Sequence, residues 1–242
     1  MRCFMKTDVG RVREINEDCC EVKYFDDGSC LLVLCDGMGG KNGGEIASSK
    51  VMQTLIFEFS RRYDKAMSDT AIKAALVSSA RTANIAVYDI ACADDNLRGM
   101  GTTLVAAFIR GADAHIIHAG DSRAYIYSDN ALNQITTDHS IVQHLIELGQ
   151  ISKEEANTHP RKNIITRALG VDESIDVEYT FLDIPDKSIL LLCTDGVSNM
   201  ITDKELEQII QNNTFDDLVD IIIETALNNG GVDNATIIVA EQ

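Results

Sequence analysis

The sequence predicts an α+β fold in which two antiparallel β-sheets pack face to face and a pair of helices covers each outer side, an α/β/β/α four-layer sandwich. Strand-like segments come in runs, and long amphipathic helices come in pairs between the runs. The regular βαβα alternation of a parallel sheet is not seen, and two stacked sheets with helices outside use every apolar face.

Segments rich in aliphatic residues predict strands at 18–25, 30–36, 102–109, 114–120, 123–127, 175–182, 188–194 and 235–240. Between the second and third, residues 44–63 place Ile46, Val51, Leu55 and Phe59 on one side. Residues 70–91 do the same with Ile72, Leu76, Ala80, Ala83 and Val87, so both segments read as core-facing helices. Two further helices are predicted at 203–211, behind the capping box Thr202-x-x-Glu205, and at 215–228, behind Thr214 with Asp216 and Asp217 at its positive end. Residues 138–163 read differently, as short helical pieces with Ser152-x-x-Glu155 capping one of them and Pro160 near the end. They suggest a helical insertion laid over a sheet.

With 242 residues, 45% of them apolar, the chain is long enough for one sizeable core, and only two prolines and no low-complexity tract interrupt it. A single domain over 1–242 is expected. The formal charge of −17 argues against nucleic acid or an anionic membrane as partner. Apolar runs such as "ILLLC" are far shorter than the roughly 20 residues a membrane helix needs, so no membrane insertion is expected. Without an apolar leader or paired C-x-x-C knuckles, the seven cysteines are expected to be reduced in a cytoplasmic protein. The adjacent Cys19 and Cys20 read as small apolar fillers on opposite faces of a strand rather than a redox pair.

The stretch "LLVLCDGMGG" (31–40) resembles a phosphate loop, yet the spacing fails, because Cys35 and Asn42 stand where a Walker loop needs glycine and Ser/Thr. What recurs instead is an apolar strand closed by an acid. Asp36, Asp121 and Asp195 each end such a strand, Asp233 precedes another, and Glu17 with Asp18 opens one more. Carboxylates gathered at one edge of a low-dielectric core need counter-charge, and an all-oxygen donor set suits Mg²⁺ or Mn²⁺ rather than zinc. Two such ions can activate a water and clamp a phosphate.

Eight segments carry a family resemblance in order along nearly the whole chain: "TDVGRVREINED" (7–18), "DGMGG" (36–40), "GMGTT" (99–103), "AGDSRAY" (119–125), "DHS" (138–140), "HPRKNIITRALG" (159–170), "CTDGV" (193–197) and "GGVDNAT" (230–236). The chain thus resembles the metal-dependent serine/threonine protein phosphatases of type 2C, in their bacterial form. The resemblance implies a binuclear Mn²⁺ or Mg²⁺ centre at one end of a β-sandwich, and hydrolysis of phosphoserine and phosphothreonine by a metal-bridging hydroxide. By position, Asp36 bridges both metals, Asp195 and Asp233 hold the first, and Glu17 with the Gly37 carbonyl faces the second. Asp18 accepts from metal-bound water, Asp121 with Asp195 forms a third, weaker site, and Arg13 grips the substrate phosphate with its planar fork. Residues 138–163 match the family's variable flap. A monomer acting on signalling phosphoproteins, with a membrane-anchored serine/threonine kinase and its substrates as partners, is the corresponding biological expectation.

Two places depart from the family pattern. Met38 and Lys41 stand where relatives carry a histidine proposed as leaving-group acid. His115 and His118 face opposite sides of a strand and His139 and His159 bound the flap, so all four read as structural, and a metal-bound water or Lys41 is the expected acid. Among rival readings, Cys92 and Arg98 satisfy C-x₅-R, but the two aspartates between them and the lack of glycine repel a phosphate. A catalytically dead binding module would lack core carboxylates, which are all present. A metal-dependent nuclease or nucleotide hydrolase is set aside only by the family match.

Overall fold

The computed structural model describes residues 1–39 and 43–242. Among the described residues, eleven strands form two wholly antiparallel sheets. The first contains β1 (Arg2–Asp8), β7 (Arg123–Ser128), β8 (Ala131–Gln134), β10 (Ile189–Cys193) and β11 (Ala235–Glu241), in the order β1-β11-β10-β7-β8. The second contains β2 (Asp18–Tyr24), β3 (Cys30–Met38), β5 (Leu104–Arg110), β6 (Asp113–Ala119) and β9 (Glu178–Asp183), in the order β2-β3-β5-β6-β9, with the two-residue β4 (Gly101–Thr102) on the end of β3.

Period-two alternation separates the layers. Leu32 and Leu34 of β3 meet Leu190 and Leu192 of β10 and Ile238 of β11 between the sheets. Leu31, Val33 and Cys35 point the other way, onto α1 (Gly43–Arg62) and α2 (Asp69–Ala93). Leu191, Ile237 and Val239 point outward from the first sheet onto α5 (Asp195–Ser198), α6 (Asp203–Asn212) and α7 (Leu218–Asn228). The four layers are therefore those anticipated. The capping boxes at Thr202/Glu205 and Ser152/Glu155 are both formed, the latter opening α4 (Lys153–Asn157). Thr214 caps a 3₁₀ turn, Phe215–Asp217, so that α7 itself starts later than anticipated.

Three details differ. β1 and β8 were not anticipated, because β1 is an edge strand with Phe4 and Met5 exposed and no clean alternation, and β8 is a short edge on the other side. The strand expected at 102–109 is broken at Thr103, whose hydroxyl accepts the Asp36 N–H at 3.0 Å instead of lying in the ladder. On α1 the buried stripe is Ala47, Val51, Leu55 and Phe59, spaced i, i+4, while Ile46 is exposed. Five residues from Ile46 to Val51 turn a helix well past one revolution and carry Ile46 off the core face.

Candidate metal centre

The sheet ends that carry the acids come together. Asp18 and Asp36 are register partners on β2 and β3, Asp195 opens α5 directly after β10, and Asp233 lies two residues before β11. Local chemistry fixes each one. The Asp36 backbone is held three times over, its N–H by the Thr103 hydroxyl and its carbonyl by the Thr103 N–H at 2.8 Å and the Thr102 hydroxyl at 2.8 Å. The Thr103 hydroxyl also meets Ser122 at 2.7 Å, which ties the "GMGTT" segment to the "GDS" segment beside Asp121.

Asp18 is the most buried member. Its Oδ2 accepts from Thr194 at 3.0 Å and Thr236 at 2.6 Å. Behind Thr236 stand Thr7 at 2.7 Å and then the Asn16 amide, which donates to Thr7 at 2.8 Å, so the hydroxyl protons can all run toward an ionised Asp18. Its Oδ1 is buried with no partner among the described residues. A buried carboxylate oxygen left bare costs on the order of 1–3 kcal/mol, more if charged.

Crowding raises the acids together. Loss of solvent around it, then Asp18, Asp195, Asp121 and Asp233, hold the Asp36 carboxyl well above the usual carboxylate range. Asp18 and Asp121 are each pushed up to about 7, burial being the first cause in both. Asp195 is raised chiefly by burial and then by Asp233.

The remaining predicted residues surround this group without closing on it. Asp233 accepts from Arg13 at 2.7 Å and from the Asn234 N–H at 2.9 Å. Glu17 Oε1 accepts the Gly44 N–H at 3.1 Å in the first turn of α1, and burial raises its carboxyl. A Cβ on Gly37 would fall well inside 3.0 Å of the Gly44 and Glu17 carbonyl oxygens, so this glycine lets β3 and the start of α1 touch. Met38 pairs with Gly101 at the end of β3, and Lys41 lies outside the described residues.

The acids therefore form an oxygen-only set with one bare buried oxygen among the described residues and several carboxyls raised first by burial and then by one another. A hard divalent cation relieves both conditions, and this donor set fits it. The histidines are spent elsewhere. His118 and His139 stack at 4.5 Å, and with Glu178 their ligand atoms lie within 4.8 Å of one another. Yet His139 Nδ1 accepts the Gly120 N–H and His118 Nε2 donates to the Thr137 carbonyl, so the pair anchors the root of the 138–163 segment. His115 contacts Tyr179 on the helix side, and His159 accepts from the Arg161 N–H. Cys92 sits at the end of α2 and Arg98 pairs with Asp95 in solvent, which leaves no phosphate nest there. Cys19 faces Ser48 of α1, whereas Cys20 packs between the sheets with its thiol pushed up to about 12 by burial.

Comparison with known proteins decides the family. Residues 10–234 match the family described as Protein phosphatase 2C. The chain belongs to the protein phosphatase 2C family. Over the full chain it is 36% identical to the serine/threonine phosphatase stp of Listeria monocytogenes, covering 96% of that protein. It is 35% identical to the serine/threonine protein phosphatase PstP of Mycobacterium tuberculosis and spans 45% of its length. The crystal structure of Stp1 from Staphylococcus aureus superposes with a TM-score of 0.91 at 36% identity, covering 99% of this chain and 94% of that one. A PstP catalytic domain in complex with two manganese ions superposes at 0.86 with 34% identity, covering 99% and 97%.

Among the residues that sequence reasoning missed at this protein phosphatase 2C site is Asn234. Asn234 donates to the Val9 carbonyl at 2.8 Å and the Ile15 carbonyl at 3.0 Å, while its own carbonyl accepts the Glu17 N–H at 2.9 Å. One side chain thus sets the loop that carries Arg13 and Glu17. The signal was present, since Asn234 adjoins Asp233 in "GGVDN", but nothing local shows an asparagine holding residues more than two hundred positions away. Asn234→Ala is expected to cost about 2–3 kcal/mol for three lost hydrogen bonds. It should also weaken metal-dependent activity more than tenfold, read by urea unfolding and by titration of the divalent ion.

Proposed function

We propose that this chain hydrolyses phosphoserine and phosphothreonine on proteins with two Mn²⁺ or Mg²⁺ ions held by Asp36, Asp195, Asp233, Glu17 and the Gly37 carbonyl. Asp121 and Asp195 would hold a third. The observation that carries this reading is the convergence of Asp18, Asp36, Asp121, Asp195 and Asp233, each repelling at least one other, with an Asp18 Oδ1 that has no partner among the described residues. When bound, such ions supply a nucleophilic water at neutral pH and neutralise charge on the phosphate.

The chain's own residues do the rest. Arg13, about half exposed and paired with Asp233, carries a two-pronged donor at the mouth of the cluster and can exchange that partner for two phosphate oxygens. Asp18, fixed at Oδ2 by two hydroxyls, presents Oδ1 as the proton acceptor for an attacking water. No histidine is hydrogen-bonded to these acids among the described residues, which leaves solvent or Lys41 to protonate the leaving oxygen. We assign the whole of 1–242 to one catalytic unit acting as a monomer in the cytoplasm, opposing a membrane-anchored serine/threonine kinase by analogy with the family.

Phosphate release from a phosphothreonine peptide and from an aryl phosphate is expected only with Mn²⁺ or Mg²⁺. It should vanish on chelation and survive thiol alkylation. Turnover that persists in chelator, or faster hydrolysis of DNA or nucleotides, would sink the assignment.

A further inference from the structure

A cleft of about 580 Å³ lies between the 138–163 segment and the start of α6, and its lining includes Asp121 and Asp195, so it opens onto the carboxylate cluster. We propose that this cleft binds acidic residues flanking the phosphorylated side chain, through Lys153, Lys162 and Lys204; the inference rests on the phosphatase reading above.

The lining carries four basic and four acidic side chains, but the acids and Arg123 are engaged within the protein. Arg123 is spent on Asp138, to which it donates from Nε and Nη2 at 2.7–3.1 Å, and on Tyr125. Asp203 accepts the Tyr125 hydroxyl at 3.0 Å. Asp121 and Asp195 belong to the carboxylate cluster. The three lysines remain, all exposed, and none forms an ion pair among the described residues.

Of the nearby glutamates, Glu154 lies close enough to Lys153 to feel its charge, and the others are held by backbone N–H groups. Glu155 and Glu205 are folded back onto the N-terminal N–H groups of their own helices, and Glu207 accepts the Leu132 N–H. Lys204 also stands in the first turn of α6, where the helix dipole opposes a cation and where Asp203 and Glu205 are the favoured types. A lysine there works against the helix and toward an external anion. In a chain of net charge −17, a peptide bearing acids would be repelled on approach unless a local basic rim met it. The opposite wall, from α3 (Ile141–Glu147), offers Val142 and Ile146, and no residue of that helix is fully buried. Aliphatic surface of that kind suits the stem of an extended peptide.

The test compares two phosphothreonine peptides that differ only in acidic or basic flanks, on the Mn²⁺-loaded full chain and on Lys153→Ala/Lys162→Ala/Lys204→Ala. An aryl phosphate, which has no flanks, is the reference substrate. The wild type is expected to favour the acidic peptide in kcat/KM, and the triple variant to lose roughly tenfold on that peptide alone, through KM, as three exposed ion pairs would supply. The loss should shrink at high salt. Equal losses on both peptides, or an acidic preference that survives in the variant, overturn the inference. Should the aryl phosphate not be turned over at all, the phosphatase reading falls. Fluorescence anisotropy of a labelled acidic peptide then still decides the cleft: weaker binding to the triple variant supports it, and equal binding overturns it.

Discussion

Asp36→Asn is expected to lower turnover of an aryl phosphate by on the order of 10³-fold while raising the melting temperature of the metal-free protein at pH 8. The first effect follows from removing one charge at the centre of the oxygen cluster, where preorganised electrostatics dominate the rate. The second follows from linkage. The folded state holds protons on Asp18, Asp36, Asp121 and Asp195 more tightly than an unfolded chain does. Such groups stabilise the fold fully only below the ordinary aspartate pKa of about 3.9, and that stability is lost as pH rises through the folded values. For Asp18 and Asp121 those values are about 7.

Metal-free wild type should therefore lose stability from mildly acidic to neutral pH, and Asp36→Asn should flatten the loss by removing a mutual repeller. With excess Mn²⁺ the order should invert, because only the wild type gains the full binding energy. Calorimetric scans at pH 5 and pH 8, with chelator and with Mn²⁺, check all of this. A variant that melts lower than wild type in chelator at pH 8, or that retains near-native turnover, would falsify the electrostatic account of the site.

Gly196→Ala is the second large effect, and here the cause is steric. A Cβ at Gly196 would fall well inside 3.0 Å of the Asn234 carbonyl oxygen and carbon, both of them backbone. Neither α5 nor the approach to β11 can yield by rotating a side chain. The expected cost is about 3 kcal/mol, the upper end for overpacking, or roughly 6–12 °C in melting temperature for a chain of this size. Because Asp195 precedes this glycine and Asp233 precedes Asn234, separating the two backbones should also cut activity more than stability alone predicts. Gly28→Ala is the control, since its positive φ disfavours alanine but its Cβ meets nothing within 4 Å. Comparable losses in both variants would argue against the close-contact explanation.

These residues also show what was legible in the sequence. The strands that cross the middle of each sheet are continuous apolar runs buried on both faces, so β3, β5, β10 and β11 announce themselves and carry Asp36, Asp195 and Asp233 with them. β1 does not, because an edge strand with one open side needs no such pattern. The glycines after Asp36 were legible as a motif but not in their purpose. Gly37 and Gly44 let strand and helix backbones meet, and Gly44 leaves room for the Glu17 carboxylate, a requirement that exists only once β3 and α1 have packed. The hydroxyls of Thr7, Thr194 and Thr236 were invisible for a related reason. Any threonine can be a strand residue, and only the meeting of β1, β10 and β11 behind Asp18 turns these three into a proton-directing chain.

The pairing of β1 with β11 in register, from Arg2 opposite Glu241 to Asp8 opposite Ala235, has a consequence in time as well as in space. Asn234, which positions Glu17, is separated from it by 217 residues. A ribosome delivers Glu17, Asp18 and Asp36 early and Asp233 and Asn234 late, so a growing chain holds only part of the acid cluster through most of its synthesis. Contacts of such sequence separation form slowly. The cluster is complete only once β11 has been inserted between β1 and β10, so the site is the last part of the fold to be assembled from its ends.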